Sequence, residues 1–219
     1  MVTKAIFWDN DGVLVETEQI YFEATRDVLA EVEIDLTPAL YKELFLVQGR
    51  GAWHLVAEKG FSAEEQERMR TDRNNRYSRG LGRTPPLVDG VRDVLETLRG
   101  KYVMGCVTSS RKDHFDLIHR DTGLLQYFDF IITASDVTRV KPDPELYRLA
   151  VSRTGFEPSE CVAIEDSARG LEAANAAGIR CLVVPTALTH GSAFTGAQRV
   201  LERMEEVVAA VSAPFNSVV

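Results

Sequence analysis

Two aspartates stand directly behind a short apolar run near the start of the chain. Asp9 and Asp11 follow Ala5–Trp8 and are separated by one residue. Acidic residues are poor strand formers and two like charges placed close together repel, so the pair is either a solvated turn or is held there for chemistry. Residues two apart on an extended chain share a side, so both carboxylates can face one crevice. Gly12 then permits a tight turn.

Polar side chains also follow the next three apolar runs. They are Thr108, Ser109 and Ser110, then Lys141, and then the pair Glu165 and Asp166. Any one of them alone could be a helix cap or a turn residue. Together with the first pair they place carboxylates, hydroxyls and a lysine at strand ends, where an open parallel sheet binds its ligands. Such a set suits one phosphate group and one cation.

The cation that these groups predict is Mg²⁺. Unpaired carboxylates would repel by about 4 kcal/mol per close pair at an effective dielectric of about 20, and a divalent cation removes that repulsion. Hard oxygen ligands in small number suit Mg²⁺ rather than a soft metal. None of the four histidines lies at a predicted strand end, which argues against zinc.

Five short apolar runs are the candidate strands that position these residues. They lack polar alternation, as expected for parallel strands covered on both faces, and they are Ala5–Trp8, Tyr102–Val107, Phe130–Thr133, Cys161–Ile164 and Cys181–Val184. Helical patterns separate them, with start and stop signals at Pro144 and Gly155 and at Ser167 and Gly178. A final helix is predicted over Ala197–Val211. The alternation indicates an α/β fold with a parallel sheet.

One interval breaks the alternation. Between Glu16 and Pro86 there are only helical patterns, at Gln19–Val32, Ala52–Lys59 and Ala63–Arg79. A stretch of about seventy residues is too long for a simple crossover, so it is interpreted as an inserted helical domain. We therefore predict a cap domain over residues 17–85 and an α/β core domain made of residues 1–16 and 86–219. Residues 12–16 and the Gly- and Pro-rich segment 80–90 are the expected hinges.

Composition and charge restrict the partners and the compartment. The chain has 219 residues and a net charge of −8, which argues against nucleic acid or an anionic membrane as a partner. No apolar run is long enough to span a bilayer. Cys106, Cys161 and Cys181 fall in strand-like runs and predict reduced core residues of a cytoplasmic protein. A monomer is expected, because the net charge is well away from zero and no unexplained apolar stripe is visible.

Four short motifs carry the polar residues described above. The sequence reads DNDGV at 9–13, VTSS at 107–110, KPDP at 141–144 and IEDS at 164–167. In order and spacing they resemble the motifs of the haloacid dehalogenase superfamily. More narrowly, the chain is similar over essentially its whole length to the branch with a helical cap, which includes phosphoglycolate and sugar phosphatases and β-phosphoglucomutase. The resemblance implies a Rossmann-like parallel sheet with strand order 3-2-1-4-5 and an inserted α-helical cap. It also implies Mg²⁺-dependent hydrolysis of a small phosphate ester, a sugar phosphate or a phosphoglycolate-like acid, through an aspartyl-phosphate.

The same resemblance implies a role for each motif residue. Asp9 would be the nucleophile, and Asp11 would protonate the leaving oxygen and later deprotonate the water. Thr108 and Lys141 would hold the transferring phosphoryl oxygens. The metal ligands would be Asp9, Asp11 through its backbone carbonyl, Asp166, and Glu165 either directly or through water. Asn10, where the family usually has an apolar residue, is expected to point away from the crevice and to have no chemical effect.

Arg50, Ser109, Ser110 and Arg111 are the candidate substrate-binding residues. In the mutases of this branch a cap arginine, a lysine or arginine further along the cap, and a Ser-Lys pair after the second motif grip a second phosphate. Arg50, Arg73 and the pair Ser110-Arg111 offer similar groups in this chain. Those mutases carry a histidine in the first cap helix where this chain has Tyr21, which favours a phosphatase. A β-phosphoglucomutase-like sugar phosphate mutase stays the alternative.

Four further classes fit the sequence less well. Dehalogenases of the superfamily lack an acid at the position of Asp11, and a phosphonate hydrolase would need a cap lysine for Schiff-base chemistry, whereas nothing distinguishes Lys42 or Lys59. Receiver domains also combine Asp, Mg²⁺, Thr and Lys, but in another order and without a helical insertion. An inactive binding protein of the same fold would be expected to lose at least one catalytic residue, and all are present.

Overall fold

The computed structural model describes residues 2–82 and 85–213. The parallel strands of its sheet are β1 (Ala5–Trp8), β2 (Val103–Val107), β3 (Phe130–Ile132), β4 (Cys161–Glu165), β5 (Arg180–Val183) and β6 (Arg199–Val200). Their order across the sheet is β3-β2-β1-β4-β5-β6. The predicted α/β class and the order 3-2-1-4-5 are therefore confirmed, with β6 added at one edge. Because β1 lies between β2 and β4, the residues that follow these three strands lie next to one another, beyond the carboxyl ends of the strands.

The edge strand β6 lies where the sequence predicts the beginning of the final helix. The Gln198 N–H donates to the Cys181 carbonyl, and the Leu201 N–H donates to the Val183 carbonyl, both at 2.8 Å. The segment thus pairs with the free edge of β5, and the helix is confined to Glu206–Ser212. The apolar side chains that suggested a longer helix are still buried in the core, and they are Leu201, Met204, Val207 and Val211.

The segment between β1 and β2 is helical and packs around a hydrophobic cluster of its own. Its helices are α1 (Glu18–Ala30), α2 (Pro38–Tyr41), a π-helical segment (Lys42–Val47), α3 (Trp53–Glu58) and α4 (Ala63–Gly80). The cluster contains Phe22, Leu29, Ile34, Leu36, Tyr41, Leu44, Ala52 and Val56. The sequence pattern predicted α1, α3 and α4 but not α2, which is only one turn long and is capped by the Thr37 hydroxyl, 3.2 Å from the Leu40 N–H.

Helices cover both faces of the sheet. They are α5 (Val91–Leu98), α6 (Lys112–His119), α7 (Glu145–Thr154), α8 (Ala168–Ala176) and α9 (Glu206–Ser212). Along β1 the side chains alternate: Ile6 and Trp8 pack in one cluster with α5, α6 and α9, and Ala5 and Phe7 pack in another with α7 and α8. Both faces of β1 are therefore buried, which explains why its four residues show no polar alternation.

We refer to residues 17–85 as the cap and to residues 1–16 and 86–219 as the core domain, a division proposed from the sequence. The predicted hinge at 80–90 includes positions 83 and 84, which lie outside the described residues. The three cysteines are buried and free, as predicted. Among the helices of the described ranges, none is both long enough and apolar enough to cross a membrane.

Candidate active site

Lys141 lies beyond the carboxyl ends of the central strands, at the floor of a crevice. Its Nζ donates to Asp9 Oδ1 at 2.6 Å, to the Val107 carbonyl at 2.8 Å and to Glu165 Oε1 at 2.7 Å. The lysine is 5% exposed. Burial opposes its charge, but Asp9 and Glu165 outweigh burial and raise the pKa of Lys141 above its ordinary value. The site therefore contains a permanent ammonium, with each of its three N–H groups in a hydrogen bond.

Asp11 is held by hydroxyl groups from two segments. Thr17, just before α1, donates to Asp11 Oδ1, and Ser110, between β2 and α6, donates to Asp11 Oδ2 at 2.5 Å. Gly12 has a φ of +83°, and a Cβ at this position would lie 2.5 Å from Asp166 Oδ2. Only glycine allows the chain to turn this closely beside Asp166, so Gly12 makes the approach of the first and fourth motifs possible.

Asp9, Glu165 and Asp166, which we call the acidic cluster, offer carboxylate oxygens within 4.8 Å of one another. Burial raises the pKa of Asp9 to about 7, although Lys141 lowers it. Burial, together with the neighbouring Asp9 and Glu165, raises the pKa of Asp166 well above its ordinary value. One ammonium thus does not balance three buried carboxylates, and the cluster needs a further positive charge to be fully ionised.

The donors of the acidic cluster fit a magnesium ion. They are hard carboxylate oxygens, as Mg²⁺ prefers. Glu165 Oε1 already accepts from Lys141 and from the Tyr147 hydroxyl at 2.5 Å, whereas Glu165 Oε2 is buried and has no hydrogen-bond partner among the described residues. Asp9 and Asp166 can therefore hold the ion, with Glu165 as an additional ligand or a partner through water.

A cavity of about 340 Å³ lies beside this cluster, between the core domain and the cap. The residues assigned to the site from the sequence that line it are Asp9, Asp11, Thr108, Ser109, Ser110, Arg111, Lys141 and Asp166. Glu165 lies behind the lining, fully buried. Arg50 is exposed, between the π-helical segment and α3, and does not line the cavity. Arg50 is therefore the assigned residue that the structure does not bring to the wall of the cavity.

The cap lines the other side of the cavity with polar and aromatic residues that the motifs did not identify. The Tyr41 hydroxyl donates to Glu18 Oε1, and burial raises the pKa of Glu18 to about 6. Arg73 is only 8% exposed; it donates to the Tyr21 hydroxyl, and its guanidinium lies over that ring at 4.6 Å. The sequence contained one signal for two of these residues. Glu18 and Tyr21 are three positions apart at the start of α1, the helix that follows the first motif, so they lie on the same face of that helix.

Lys42 and Arg169 make two of the contacts that hold the cap against the core domain. Lys42 Nζ, in the π-helical segment, donates to the His190 carbonyl at 2.9 Å. Arg169, in the first turn of α8, donates to the Lys141 carbonyl. Its side chain also fills the space beside Gly49 of the cap, where an added Cβ would lie 2.7 Å from the Arg169 Cδ. Arg169 therefore touches both the backbone of Lys141 and the cap.

The comparisons with known proteins agree with this architecture. Residues 6–184 match the family model of the haloacid dehalogenase-like hydrolases, and the chain belongs to that family. A phosphorylated carbohydrates phosphatase of Thermotoga maritima is 32% identical over 213 residues, which cover 94% of this chain and 96% of that protein. Protein CbbY of Cereibacter sphaeroides is 31% identical over 217 residues, which cover 93% and 94%. The crystal structure of a CbbY variant from Rhodobacter sphaeroides in complex with xylulose-(1,5)-bisphosphate has a TM-score of 0.81 at 25% identity, covering 97% of this chain and 100% of that one.

Proposed function

We propose that this protein is a Mg²⁺-dependent phosphatase that hydrolyses a small phosphate ester through an aspartyl-phosphate on Asp9. The observation that carries the proposal is the meeting of Asp9, Lys141 and the acidic cluster at the floor of one cavity. This arrangement provides a nucleophile, a fixed positive charge and a cation site within reach of a single phosphoryl group.

In the first half-reaction an Asp9 carboxylate oxygen attacks the phosphorus, and the bond from phosphorus to the leaving oxygen breaks. Asp9 Oδ1 is bound by Lys141, which leaves Oδ2 for the attack. Asp11 delivers a proton to the leaving oxygen, so the product departs as a neutral alcohol. The hydroxyls of Thr17 and Ser110 fix the Asp11 carboxylate while it does so.

In the second half-reaction water attacks the phosphorus of the aspartyl-phosphate. Asp11, now ionised, takes the proton of that water, the bond from phosphorus to Asp9 breaks, and inorganic phosphate leaves. The same carboxyl group thus serves both steps, and the enzyme returns to its starting protonation state.

Lys141 stabilises the transferring phosphoryl group through its charge, since its three N–H groups already donate to protein oxygens, and Thr108 and Ser109 can donate to the phosphoryl oxygens. The Thr108 Oγ1 accepts the Ser110 N–H at 2.9 Å, which leaves the Thr108 hydroxyl proton available for a phosphoryl oxygen. The buried Ser109 hydroxyl has no partner among the described residues and is equally available. Mg²⁺ held by Asp9, Asp166 and the Asp11 carbonyl, with Glu165, supplies additional positive charge when bound.

The cavity and the relatives together point to a small polyhydroxylated substrate. A volume of about 340 Å³ lies near the lower end of the range of small-molecule sites, about 300–1,000 Å³. One relative is named for phosphorylated carbohydrates, and another was crystallised with a sugar bisphosphate. On the cap side, Glu18 can accept a sugar hydroxyl; on the core side, Arg111 can donate to one. Arg50 is kept as a substrate-binding candidate for a more closed cap.

No nucleic acid or membrane is proposed as a partner, and the protein is proposed to act as a cytoplasmic monomer. The net charge of −8 disfavours polyanionic partners. The local positive charge at Lys141 and at the proposed cation site is what attracts a small anionic ester.

The mutase alternative requires the site to bind two phosphates at once, because a sugar bisphosphate must turn around within the site. Arg111 lines the cavity, but its guanidinium makes two contacts to Asp113, at 3.0 and 2.8 Å. Arg73 is engaged by Tyr21. Arg111 would have to leave Asp113 to grip a second phosphate with more than one of its nitrogens, and Arg73 would have to leave Tyr21. These demands favour hydrolysis over isomerisation.

Phosphate release from a panel of small esters tests the proposal. The panel should contain hexose 6-phosphates, a pentulose bisphosphate and phosphoglycolate, each with Mg²⁺ and with chelator, and β-glucose 1-phosphate should be tested for isomerisation. Metal-dependent release that is lost in Asp9→Asn supports a phosphatase. Conversion of the 1-phosphate to the 6-phosphate with little free phosphate would replace it by the mutase. Release that persists with chelator would contradict the metal site.

A further inference from the structure

A buried chain of polar side chains runs from the first motif to the far end of α6. Asn10 Nδ2 lies 3.2 Å from Asp11 Oδ2, and Asn10 Oδ1 lies 2.7 Å from His119 Nε2. The other ring nitrogen, His119 Nδ1, lies 3.0 Å from Thr122 Oγ1, which accepts the Leu124 N–H at 3.3 Å. Asn10 is completely buried and both His119 and Thr122 are 4% exposed, so this chain is shielded from water.

The chemistry of each group sets the direction of the chain. When Asp11 is ionised, as it is before it takes the proton of the water, its oxygens can only accept, so the amide of Asn10 must turn its NH₂ toward Asp11 and its oxygen toward His119. His119 must then donate from Nε2 and accept at Nδ1, where the Thr122 hydroxyl donates. Burial lowers the pKa of His119 to about 4, so the ring is neutral near pH 7. A neutral ring can donate at one nitrogen and accept at the other. Every donor in the chain thus points toward Asp11.

Residues at both ends of α6 therefore hold the Asp11 carboxylate, one directly and one through Asn10. Ser110 precedes α6 and donates to Asp11 Oδ2 at 2.5 Å, and His119, the last residue of α6, reaches the same oxygen through Asn10. Asn10 points away from the cavity, as expected from the sequence. The prediction that Asn10 has no chemical effect did not consider the next residue, Asp11. The Asn10 side-chain amide reaches the Asp11 carboxylate from the side that faces away from the cavity.

We propose that Asn10 and His119 are positioning residues that fix the orientation of the Asp11 carboxylate for its proton transfers. The inference rests on the proposed function, in which Asp11 exchanges a proton first with the leaving oxygen and then with water. Neither residue lines the cavity, so neither is placed to contribute to substrate binding. An apolar side chain at position 10 would fill the same space, but it would leave Asp11 Oδ2 with the Ser110 hydroxyl alone.

The decisive variant is the double substitution Asn10→Leu with His119→Phe. Each single substitution strands a buried polar group of the other residue, which costs about 1–3 kcal/mol, whereas replacing both partners of the Asn10–His119 contact by apolar groups can be nearly neutral. In the double variant only the Thr122 hydroxyl loses its acceptor, as it does in His119→Phe alone. A chain that serves only stability therefore regains both melting temperature and turnover in the double variant. A positioning chain regains melting temperature while kcat stays low. His119→Gln, which can donate to Asn10 and accept from Thr122, is the conservative control and should keep most of the turnover.

We expect the double variant to lose between about tenfold and a hundredfold in kcat with KM little changed, since misplacing a catalytic group by about 1 Å can cost about a hundredfold. A double variant with the kcat of the unmodified enzyme would overturn the inference. A His119→Gln variant whose kcat is as low as that of the double variant would also overturn it. These comparisons use whichever ester the unmodified enzyme hydrolyses best with Mg²⁺.

A measurement that needs no activity keeps the inference separate from the proposed function. ¹⁵N NMR of histidine-labelled protein near pH 7, with the His119 signals assigned by their loss in His119→Gln, reports which ring nitrogen carries the proton. The chain requires the proton on Nε2 and an acceptor at Nδ1. The opposite tautomer would overturn the chain even in an active phosphatase. If no ester is hydrolysed, the proposed function fails, and with it the role of the chain in proton transfer.

Discussion

Lys141 Nζ lies 2.6 Å from Asp9 Oδ1, and both side chains are buried. The two residues are brought together from the first strand and from the loop after β3, and the same ammonium binds Glu165 Oε1 at 2.7 Å. The lysine thus joins the proposed nucleophile to the acidic pair of the fourth motif. Its charge serves the stability of the metal-free protein as well as the chemistry.

Removing that charge should therefore damage both properties. Lys141→Met leaves two buried carboxylates without their cation, and breaking a buried ion pair in this way costs about 3–5 kcal/mol. We expect a loss of that order in the free energy of unfolding, measured by urea titration in chelator, together with loss of turnover. Lys4→Met is the matched control, because the Lys4–Glu160 pair is half exposed on the lysine side and exposed pairs are worth less than about 1 kcal/mol. Equal losses in the two variants would contradict the account of Lys141.

Stabilisation by Mg²⁺ should grow with pH. The pKa of Asp9 is raised from 3.8 to about 7 in the metal-free fold, so the folded protein keeps a proton that the unfolded chain releases. That contribution to stability is complete below about pH 4 and is lost as the pH rises through about 7. Mg²⁺ then replaces the proton, and its effect on the melting temperature should be larger at about pH 8 than at about pH 5. Asp166→Asn removes a proposed ligand and should abolish the difference; an equal Mg²⁺ effect at both pH values would argue against the acidic cluster as its site.

Gly170 should tolerate no side chain. A Cβ at this position would lie 1.9 Å from Glu165 Oε2 and 2.0 Å from Glu165 Cδ, so Gly170→Ala must displace the carboxylate that binds Lys141. We expect a destabilisation of about 1–3 kcal/mol, as for other overpacked sites, and a fall in kcat. Gly80→Ala is the comparison, since its added Cβ meets a methyl group of Ile20 in the cap instead; it should change stability without a comparable change in kcat. Normal turnover in Gly170→Ala would contradict the structural role of Glu165.

Glu18 should destabilise the fold at alkaline pH. Burial raises its pKa to about 6, although the Tyr41 hydroxyl lowers it. The carboxyl therefore favours the fold while protonated, and this contribution is lost as the pH rises through about 6. Glu18→Gln should raise the melting temperature at about pH 8 and leave it little changed at about pH 4. Glu23→Gln, exposed on the same helix, should show no such pH dependence; an effect of Glu18→Gln that is the same at both pH values would contradict the burial of this carboxylate.

The sequence predicted best where one physical rule was enough. Parallel buried strands end at a common edge, so Asp9, Thr108 and Asp166 could be placed together without knowledge of any side-chain contact. The cap was harder, because the position of Arg73 beside Tyr21 depends on how α1 and α4 pack. Arg50 is a candidate through the resemblance to the mutases, and that resemblance does not reveal whether its side chain faces the cavity or the solvent.

The Asn10–His119 contact and β6 show the same limit. The two residues of the contact are 109 positions apart, and neither has a neighbour in sequence that hints at the other. The sequence predicts helix at β6 because the buried positions that follow it have helical spacing, and pairing with the free edge of β5 overrides that local pattern. Long-range contacts of this kind need the structure.

The measurement that tests the central claim most directly is mass spectrometry of the enzyme quenched in acid during turnover with Mg²⁺ and its best ester. We predict one phosphoryl group on the peptide that contains Asp9. Asp11→Asn should form it more slowly from the same ester, because protonation of the leaving oxygen is then lost, and none should appear in Asp9→Asn. Steady phosphate release by Asp9→Asn, or a phosphoryl group on another residue, would contradict the account.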